Sequence, residues 1–262
     1  MRIVRYSSND EIRYGSVETL DGGDVVRELS GNPILEDVTP TGVQQALSEV
    51  RLLAPVTPAK VIGLAKNYSP DRDPDLPAEG AKPMVFLKTN HSVLATGDPI
   101  VIPAISQDTG LEGELVVVIG KQCRHVAVED VESVVYGYTV VNDVTARDYL
   151  TPDHPWGLAK GFDDFTPLGP WIVTGIPLAE ASDLEITTRV DGKVVQQGTT
   201  RRLLWPIAQQ VSFLSEVMTL FPGDVILAGT PAGAVRIEAG QTIEVEVERI
   251  GLLSNPVVDE VP

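Results

Sequence analysis

The chain has 262 residues, a formal net charge of −17 and a single cysteine, Cys123. Such acidity argues against nucleic acid or an anionic membrane as partner, since both call for a basic face. One cysteine excludes an internal disulfide and a thiolate metal cluster, and it suits a reducing, cytoplasmic setting.

In chain order, residues 1–55 read as a small β-rich domain, with "MRIVRY" and "IRYGSVETL" alternating around the turn-forming "SSNDE". This opening lacks the apolar core of a signal peptide, and no apolar run in the chain approaches membrane-spanning length. "LLAPVTPAK", with Pro55 and Pro58, is a short connector into a body over 56–262. The body opens on a buried-strand run, "KVIGLAKNY". A loop follows, "SPDRDPDLPAEGAKP", with Pro70, Pro74, Pro77 and Pro83 among acids. From "MVFLK" onward strands dominate: "PIVIP", "ELVVVIG", "YGYTVVND", "GPWIVTG", "LEITTRVDGKVV", "DVILAG" and "TIEVEVERIG". Asp191-Gly192 supplies the positive φ angles of a tight hairpin. One amphipathic helix carries Ile207, Val211, Leu214 and Met218 at helical spacing, with Pro206 in its first turn. A shorter helix is expected in "VEDVESVV". Many strands with few helices predict a β-rich α+β fold, a barrel or roll of mixed sheets.

Within "TGLEGELVVVIGK", Glu112 and Glu114 stand one residue apart at the start of an apolar strand. Side chains alternate along a strand, so both carboxylates point to one side, above Val116 and Val118. Taken alone, the pair reads as two solvated acids at an exposed strand end. Asp143, ending the apolar run "YGYTVVND", can deliver a third carboxylate to the same place. His91, His125 and His154 are scattered and form no zinc pattern. Three carboxylates without imidazole or thiolate describe a hard-ion site for Mg²⁺ or Mn²⁺, whose charge would relieve the repulsion between the acids.

The stretches "GLEGELVVVIGK", "GYTVVNDVTARD", "WGLAKGFDDFTPLGPWIV", "FPGDVILAGTPAGAV" and "GLLSNPVV" resemble, in order and spacing, the fumarylacetoacetate hydrolase family. The resemblance covers roughly residues 55–260 and implies a mixed β-roll. It also implies a divalent ion held by Glu112, Glu114 and Asp143, and a homodimer. Family members act on 2-oxo and 2-hydroxy-dienoic acids, acylpyruvates and oxaloacetate, by C–C hydrolysis, decarboxylation or isomerisation. Lys160 resembles the lysine that reaches the substrate's carboxylate or oxyanion. "AGTPAG" looks like a carboxylate-binding turn, with the Gly229 amide and the Thr230 hydroxyl as substrate contacts. It lacks the ending of a phosphate loop. Gln196 and Thr200 align near the substrate's distal end. Arg147 and Asp148 read as an internal pair bracing the Asp143 loop, and Trp156, Phe162 and Trp171 as wall and core.

One motif departs from the family. Its hydrolases and decarboxylases carry N-Y-x-x-H with a glutamate three residues later, on a lid that activates water or moves a proton. Here Asn67 and Tyr68 are present, but Asp71 takes the histidine position and Pro74 the glutamate position. An aspartate is a poor base at neutral pH unless buried. Hydrolysis, which needs activated water, suffers most from the change. Decarboxylation needs mainly an electron sink, and tautomerisation needs a proton carrier such as Lys160, Asp71, Asp73 or Glu79. The expected function is therefore a metal-dependent isomerase or decarboxylase of a 2-hydroxy-dienedioate or 2-oxo dicarboxylate. The overall layout matches members described as 2-hydroxyhepta-2,4-diene-1,7-dioate isomerases of aromatic-acid catabolism. An acylpyruvate-type C–C hydrolase is the alternative. A metal- and oxo-acid-binding protein with little turnover is a third reading, of another class.

Overall fold

The alternating runs of the sequence become strands in the computed structural model, which describes residues 1–69, 81–152 and 156–261. Asp71, Asp73, Pro74, Glu79 and His154 lie outside the described residues. β1 (Arg2–Ser8) and β2 (Glu11–Leu20) form a hairpin turned by Asn9 (φ 52°) and Asp10 (φ 63°). Asn and Asp tolerate this left-handed conformation better than other non-glycine residues. β3 (Gly23–Leu29) and β4 (Pro40–Ala46) continue the meander, and β5 (Arg51–Leu53) folds back onto β1. β3 and β4 were not among the expected strands.

The body contributes β6 (Val61–Ala65), β7 (Met84–Lys88), β8 (Val93–Leu94), β9 (Ile100–Ile102) and β10 (Thr109–Gly110). Next come β11 (Gly113–Ile119), β12 (Val135–Asn142), β13 (Thr145–Ala146) and α1 (Trp156–Lys160). β14 (Thr166–Val173), α2 (Leu178–Ala181), β15 (Glu185–Val190), β16 (Lys193–Thr199), α3 (Ile207–Val217), β17 (Val225–Leu227), β18 (Thr242–Val247) and β19 (Gly251–Asp259) complete it. The large sheet runs β4-β3-β2-β1-β14-β12-β11-β17-β6-β7, with β5 and β8 attached at its sides. The β1–β14 pair thus makes the N-terminal meander an extension of the body's sheet. A second sheet, β16-β15-β18-β19-β9, packs against the large one over β11, β12 and β14. The architecture is the β-rich roll of several mixed sheets that the sequence predicts, with parallel pairs β17–β6 and β19–β9 among antiparallel ones.

β11 is buried along its whole length. Val116 and Val118 enter one apolar cluster with Val61, Leu168 and Ile172. Leu115, Val117 and Ile119 enter another with Ile186, Val245 and the α3 residues Ile207, Val211 and Leu214. Burial on both faces explains an unbroken apolar run where a half-exposed strand would alternate. α3 follows Pro206 directly and ends before Met218. "VEDVESVV" forms a 3₁₀ turn over Val128–Ser133, anchored by buried Val131. Asp191 (φ 50°) and Gly192 (φ 76°) turn the β15–β16 hairpin as expected.

Candidate metal and active site

β11 and β12 run antiparallel with Gly113 opposite Asn142, so the residue before one strand lies beside the residue after the other. The Asp143 N–H donates to the Glu112 carbonyl at 2.7 Å, and the Glu112 N–H donates to Asn142 Oδ1 at 2.9 Å. This register brings Glu112, Glu114 and Asp143 together, with carboxylate oxygens all within 4.8 Å of one another. Glu114 is 2 % exposed and Asp143 is fully buried. The solvated strand end is thereby ruled out.

Two lysines enter from other elements. Lys160, the last residue of α1, donates from Nζ to Glu112 Oε2 at 2.7 Å and to Asp143 Oδ2 at 2.5 Å. Its ammonium also lies 4.9 Å from the centre of the Phe86 ring. Lys88, the last residue of β7, donates to Asp143 Oδ1 and to the Phe165 and Val144 carbonyls at 2.7 and 3.3 Å. A fully buried lysine is rare unless paired, and Lys88 is paired.

The charges do not balance. Burial would raise the Asp143 carboxyl, but Lys160 and Lys88 override it and hold Asp143 below the usual range. Burial raises Glu112, with Lys160 opposing. Burial also works against the Lys160 ammonium, yet Asp143 and Glu112 hold its pKa above the ordinary lysine value. Complete burial lowers Lys88, and Asp143 only partly offsets it. Glu114 has no cation within ion-pair distance among the described residues, only the Gly229 N–H at 2.6 Å. Burial first, then the charges of Asp143 and Glu112, push its carboxyl well above the usual range. A buried carboxylate that has neither a counterion nor a softer ligand among the described residues, and is flanked by two other carboxylates, fits a hard divalent cation. Glu112, Glu114 and Asp143 are the residues that would hold it.

The cluster faces a cavity of about 400 Å³. Phe86 and Trp156 form an apolar wall, their rings 5.8 Å apart, while Tyr68, Gln197, Arg202 and Thr230 line other parts. Phe162 packs against Tyr149 and Phe165, and Trp171 donates to the Ile250 carbonyl, so both serve the core.

Several expected contacts fall elsewhere. The "AGTPAG" turn does bind a carboxylate, but through Gly229 it is the protein's own Glu114. The Thr230 hydroxyl borders the cavity while donating to the Gly113 carbonyl at 2.9 Å. Gln196 is 1 % exposed and committed to Gly113, Thr230 and Pro231, which braces that turn; the neighbouring Gln197 lines the cavity instead. This follows from strand alternation, which sends adjacent residues to opposite faces. Thr200 is likewise internal, bonded to Ala181 and Leu184. Arg147 and Asp148 do not pair with each other. Arg147 binds Asp108 at 2.5 Å, and Asp148 accepts from Ser106 Oγ and the Gln107 N–H at 2.9 and 2.8 Å. Adjacent residues diverge here too, and together they fasten the approach to Glu112 to the exit from Asp143.

Sequence reasoning missed Lys88, Gln197, Arg202 and the Tyr68 hydroxyl. The available signals were a lysine closing the apolar run "MVFLK" and a tandem "RR" at 201–202.

The β-rich roll thus gathers three carboxylates and two lysines beside one cavity. The family profile described as "Fumarylacetoacetate (FAA) hydrolase C-terminal" matches residues 59–258, and "Rv2993c-like, N-terminal" matches residues 1–55. The chain belongs to the fumarylacetoacetate hydrolase family. It is similar to the crystal structure of 2-hydroxyhepta-2,4-diene-1,7-dioate isomerase from Mycobacterium marinum, with 40% identity, a TM-score of 0.91 and full coverage of both chains. It is 39% identical to human "Oxaloacetate tautomerase FAHD2B, mitochondrial" over 80% of this chain and 70% of that protein. At 28% identity and a TM-score of 0.81, covering both chains fully, it resembles maleylpyruvate hydrolase from Sphingobium sp. SYK-6 in complex with manganese(II) and pyruvate.

Proposed function

We propose that this protein is a divalent-metal-dependent enzyme, using Mg²⁺ or Mn²⁺, that isomerises or decarboxylates 2-oxo dicarboxylates or 2-hydroxy-dienedioates. The observation that carries the proposal is the Glu112–Glu114–Asp143 cluster, matched among the described residues by two lysines and open to a cavity. An ion held there by Glu112, Glu114 and Asp143 would supply Lewis-acid stabilisation of negative charge developing on a 2-oxo acid. Lys160 orients Glu112 and Asp143 and sets a fixed positive charge at the cavity floor. Phe86 and Trp156 keep bulk water off that floor, which strengthens every charge in it. The Tyr68 hydroxyl is buried at the cavity wall without a hydrogen-bond partner among the described residues, so its O–H is available to a substrate oxygen. Burial and the nearby Glu114 charge keep that phenol protonated.

Neither His91 nor His125 lines the cavity, and its described carboxylates all belong to the cluster. That supports reactions needing an electron sink over hydrolysis, which needs a base to activate water. Relatives named as an isomerase and as an oxaloacetate tautomerase support the same order. The likeness to a maleylpyruvate hydrolase favours C–C hydrolysis as the second reading.

The test is incubation with Mn²⁺ or Mg²⁺ and oxaloacetate, a 2-hydroxy-dienedioate or acetylpyruvate, following enol absorbance and CO₂. Metal-dependent enol conversion or CO₂ release, abolished by EDTA and by Glu114→Ala, is the expected result. Acetylpyruvate cleavage faster than every other reaction would establish the hydrolase instead. Oxalate binding without metal-dependent turnover would leave a binding protein.

A further inference from the structure

The two lysines of the acid cluster hold different oxygens of Asp143. Lys160 borders the cavity, and its Nζ links Asp143 Oδ2 to Glu112 Oε2 at 2.5 and 2.7 Å. The Lys88 side chain is fully buried and is not among the described residues that line the cavity; it holds Asp143 Oδ1 from behind. An ammonium has three N–H donors, and on Lys88 each has an acceptor. These are Asp143 Oδ1, the Phe165 carbonyl at 2.7 Å and the Val144 carbonyl at 3.3 Å. The acceptors are themselves fixed. The Val144 N–H donates to the Phe165 carbonyl at 3.1 Å, and the next residue, Thr166, meets Ser92 Oγ through its own hydroxyl at 2.7 Å. The Lys88 backbone is set by its register opposite Val61. The ammonium therefore sits where the end of β7, the β12–β13 turn and the start of β14 meet, with no donor left for a ligand.

The last torsion of an aspartate side chain is broad and nearly two-fold, so nothing in Asp143 itself selects which oxygen faces the cluster. Lys88 makes the selection. It takes Oδ1 and leaves Oδ2 on the side of Glu112 and the cavity. The same ammonium also carries charge, and its two effects on an incoming cation oppose each other. By Coulomb's law alone, removing a buried cation would make the three acids a stronger trap for a divalent ion. Removing an anchor does the reverse, because partners that orient a metal ligand are typically worth about 10- to 100-fold in affinity. The two roles thus predict opposite signs. The commitment of every Lys88 donor, and its place behind the cluster, favour the anchor.

We infer that Lys88 is a positioning residue of the ion site, acting through Asp143 and touching neither ion nor ligand. The inference rests on the reading of the acid cluster as a divalent-ion site, and the experiment separates the two. Mn²⁺ affinity and the line shape of the bound ion are read by electron paramagnetic resonance in wild type and Lys88→Met, which keeps the side chain's length without its charge. Lys88→Met should bind Mn²⁺ about 10- to 100-fold more weakly and alter the line shape, neither of which a purely structural loss would move in the folded protein. Urea midpoints of the metal-free proteins then show whether the lysine acts through Asp143. Lys88→Met leaves that buried carboxylate with one cation fewer, so adding Asp143→Asn should raise the midpoint again. A Lys88→Met chain that folds only when Asp143→Asn is added supports the same coupling. Mn²⁺ binding by Lys88→Met as tight as wild type or tighter makes Lys88 a counterion only and overturns the inference. A midpoint that Asp143→Asn does not restore, or loss of folding in both backgrounds, makes the lysine structural and overturns it as well. Failure of wild type to bind Mn²⁺ overturns the ion-site reading and this inference with it.

Discussion

Glu114 is the residue on which the site's electrostatics turn, because its carboxylate is buried beside two like charges and held by one backbone N–H. Its folded-state pKa is raised above the ordinary 4.5, so at pH values between the two the native protein binds more protons than the unfolded chain. Metal-free stability therefore falls as pH rises through that window, and metal binding, which displaces the proton, tightens over the same range. From about pH 5 to pH 8, the urea midpoint of metal-free wild type should drop relative to that of Glu114→Gln, whose neutral amide escapes the effect. Parallel curves for the two proteins would contradict the raised pKa. The E-x-E spacing and Asp143 made the acids legible in sequence, since strand period and donor type are local properties. Lys88 was not legible: a lysine ending a strand normally reaches solvent, and only burial under Phe165 and Val144 turns it into a partner of Asp143.

Among the elements, β11 has the most exacting surroundings. Gly113, between the two glutamates, points to the opposite face from them, where a Cβ would meet Thr188 Oγ1 at 2.2 Å and Val245 Cγ1 at 2.9 Å. The second sheet comes so close that the residue separating the acids must be glycine. Gly113→Ala should cost about 1–3 kcal/mol in urea denaturation, as overpacking of a close-packed interface does, and should weaken Mn²⁺ binding by shifting the start of β11. Unchanged stability and affinity would show that the sheets can separate there without consequence. Elements with strong alternation or helical spacing, such as β1, β2, β15 and α3, were legible because their pattern states which face is buried. β4 and β19 were not. β4 is mostly exposed, and β19 contains Pro256, which reads against a strand even though pairing with β18 and β9 makes it one.

At the scale of the whole molecule, a net charge of −17 surrounds a cavity whose ligands, on the proposed function, are a cation and a dianion. The field attracts the first and repels the second, and salt screens both effects over a Debye length of ~10 Å at 0.1 M. Raising NaCl from about 0.02 to 0.3 M should slow Mn²⁺ association and speed that of 2-oxoglutarate to the Mn²⁺-loaded protein, as read by stopped-flow fluorescence. Rates that move together would mean that local cations, not the overall charge, govern entry. No helix among the described residues is long and apolar enough to cross a membrane.

The sequence by itself determined that strands dominate, that Glu112 and Glu114 share one side of an apolar strand, and that Asp143 ends another. Periodicity and residue type carry those facts, and both are properties of short segments. Tertiary structure alone decided which charges meet. Lys160 reaches Asp143 across 17 positions and Lys88 across 55, and Arg202 shares the cavity of Lys160 and Asp143 because residues 67–69 run beside 202–205. The energy of a charge depends on its burial and on neighbours brought by distant parts of the chain. Local pattern therefore announced the acids, while the fold supplied the cations that answer them.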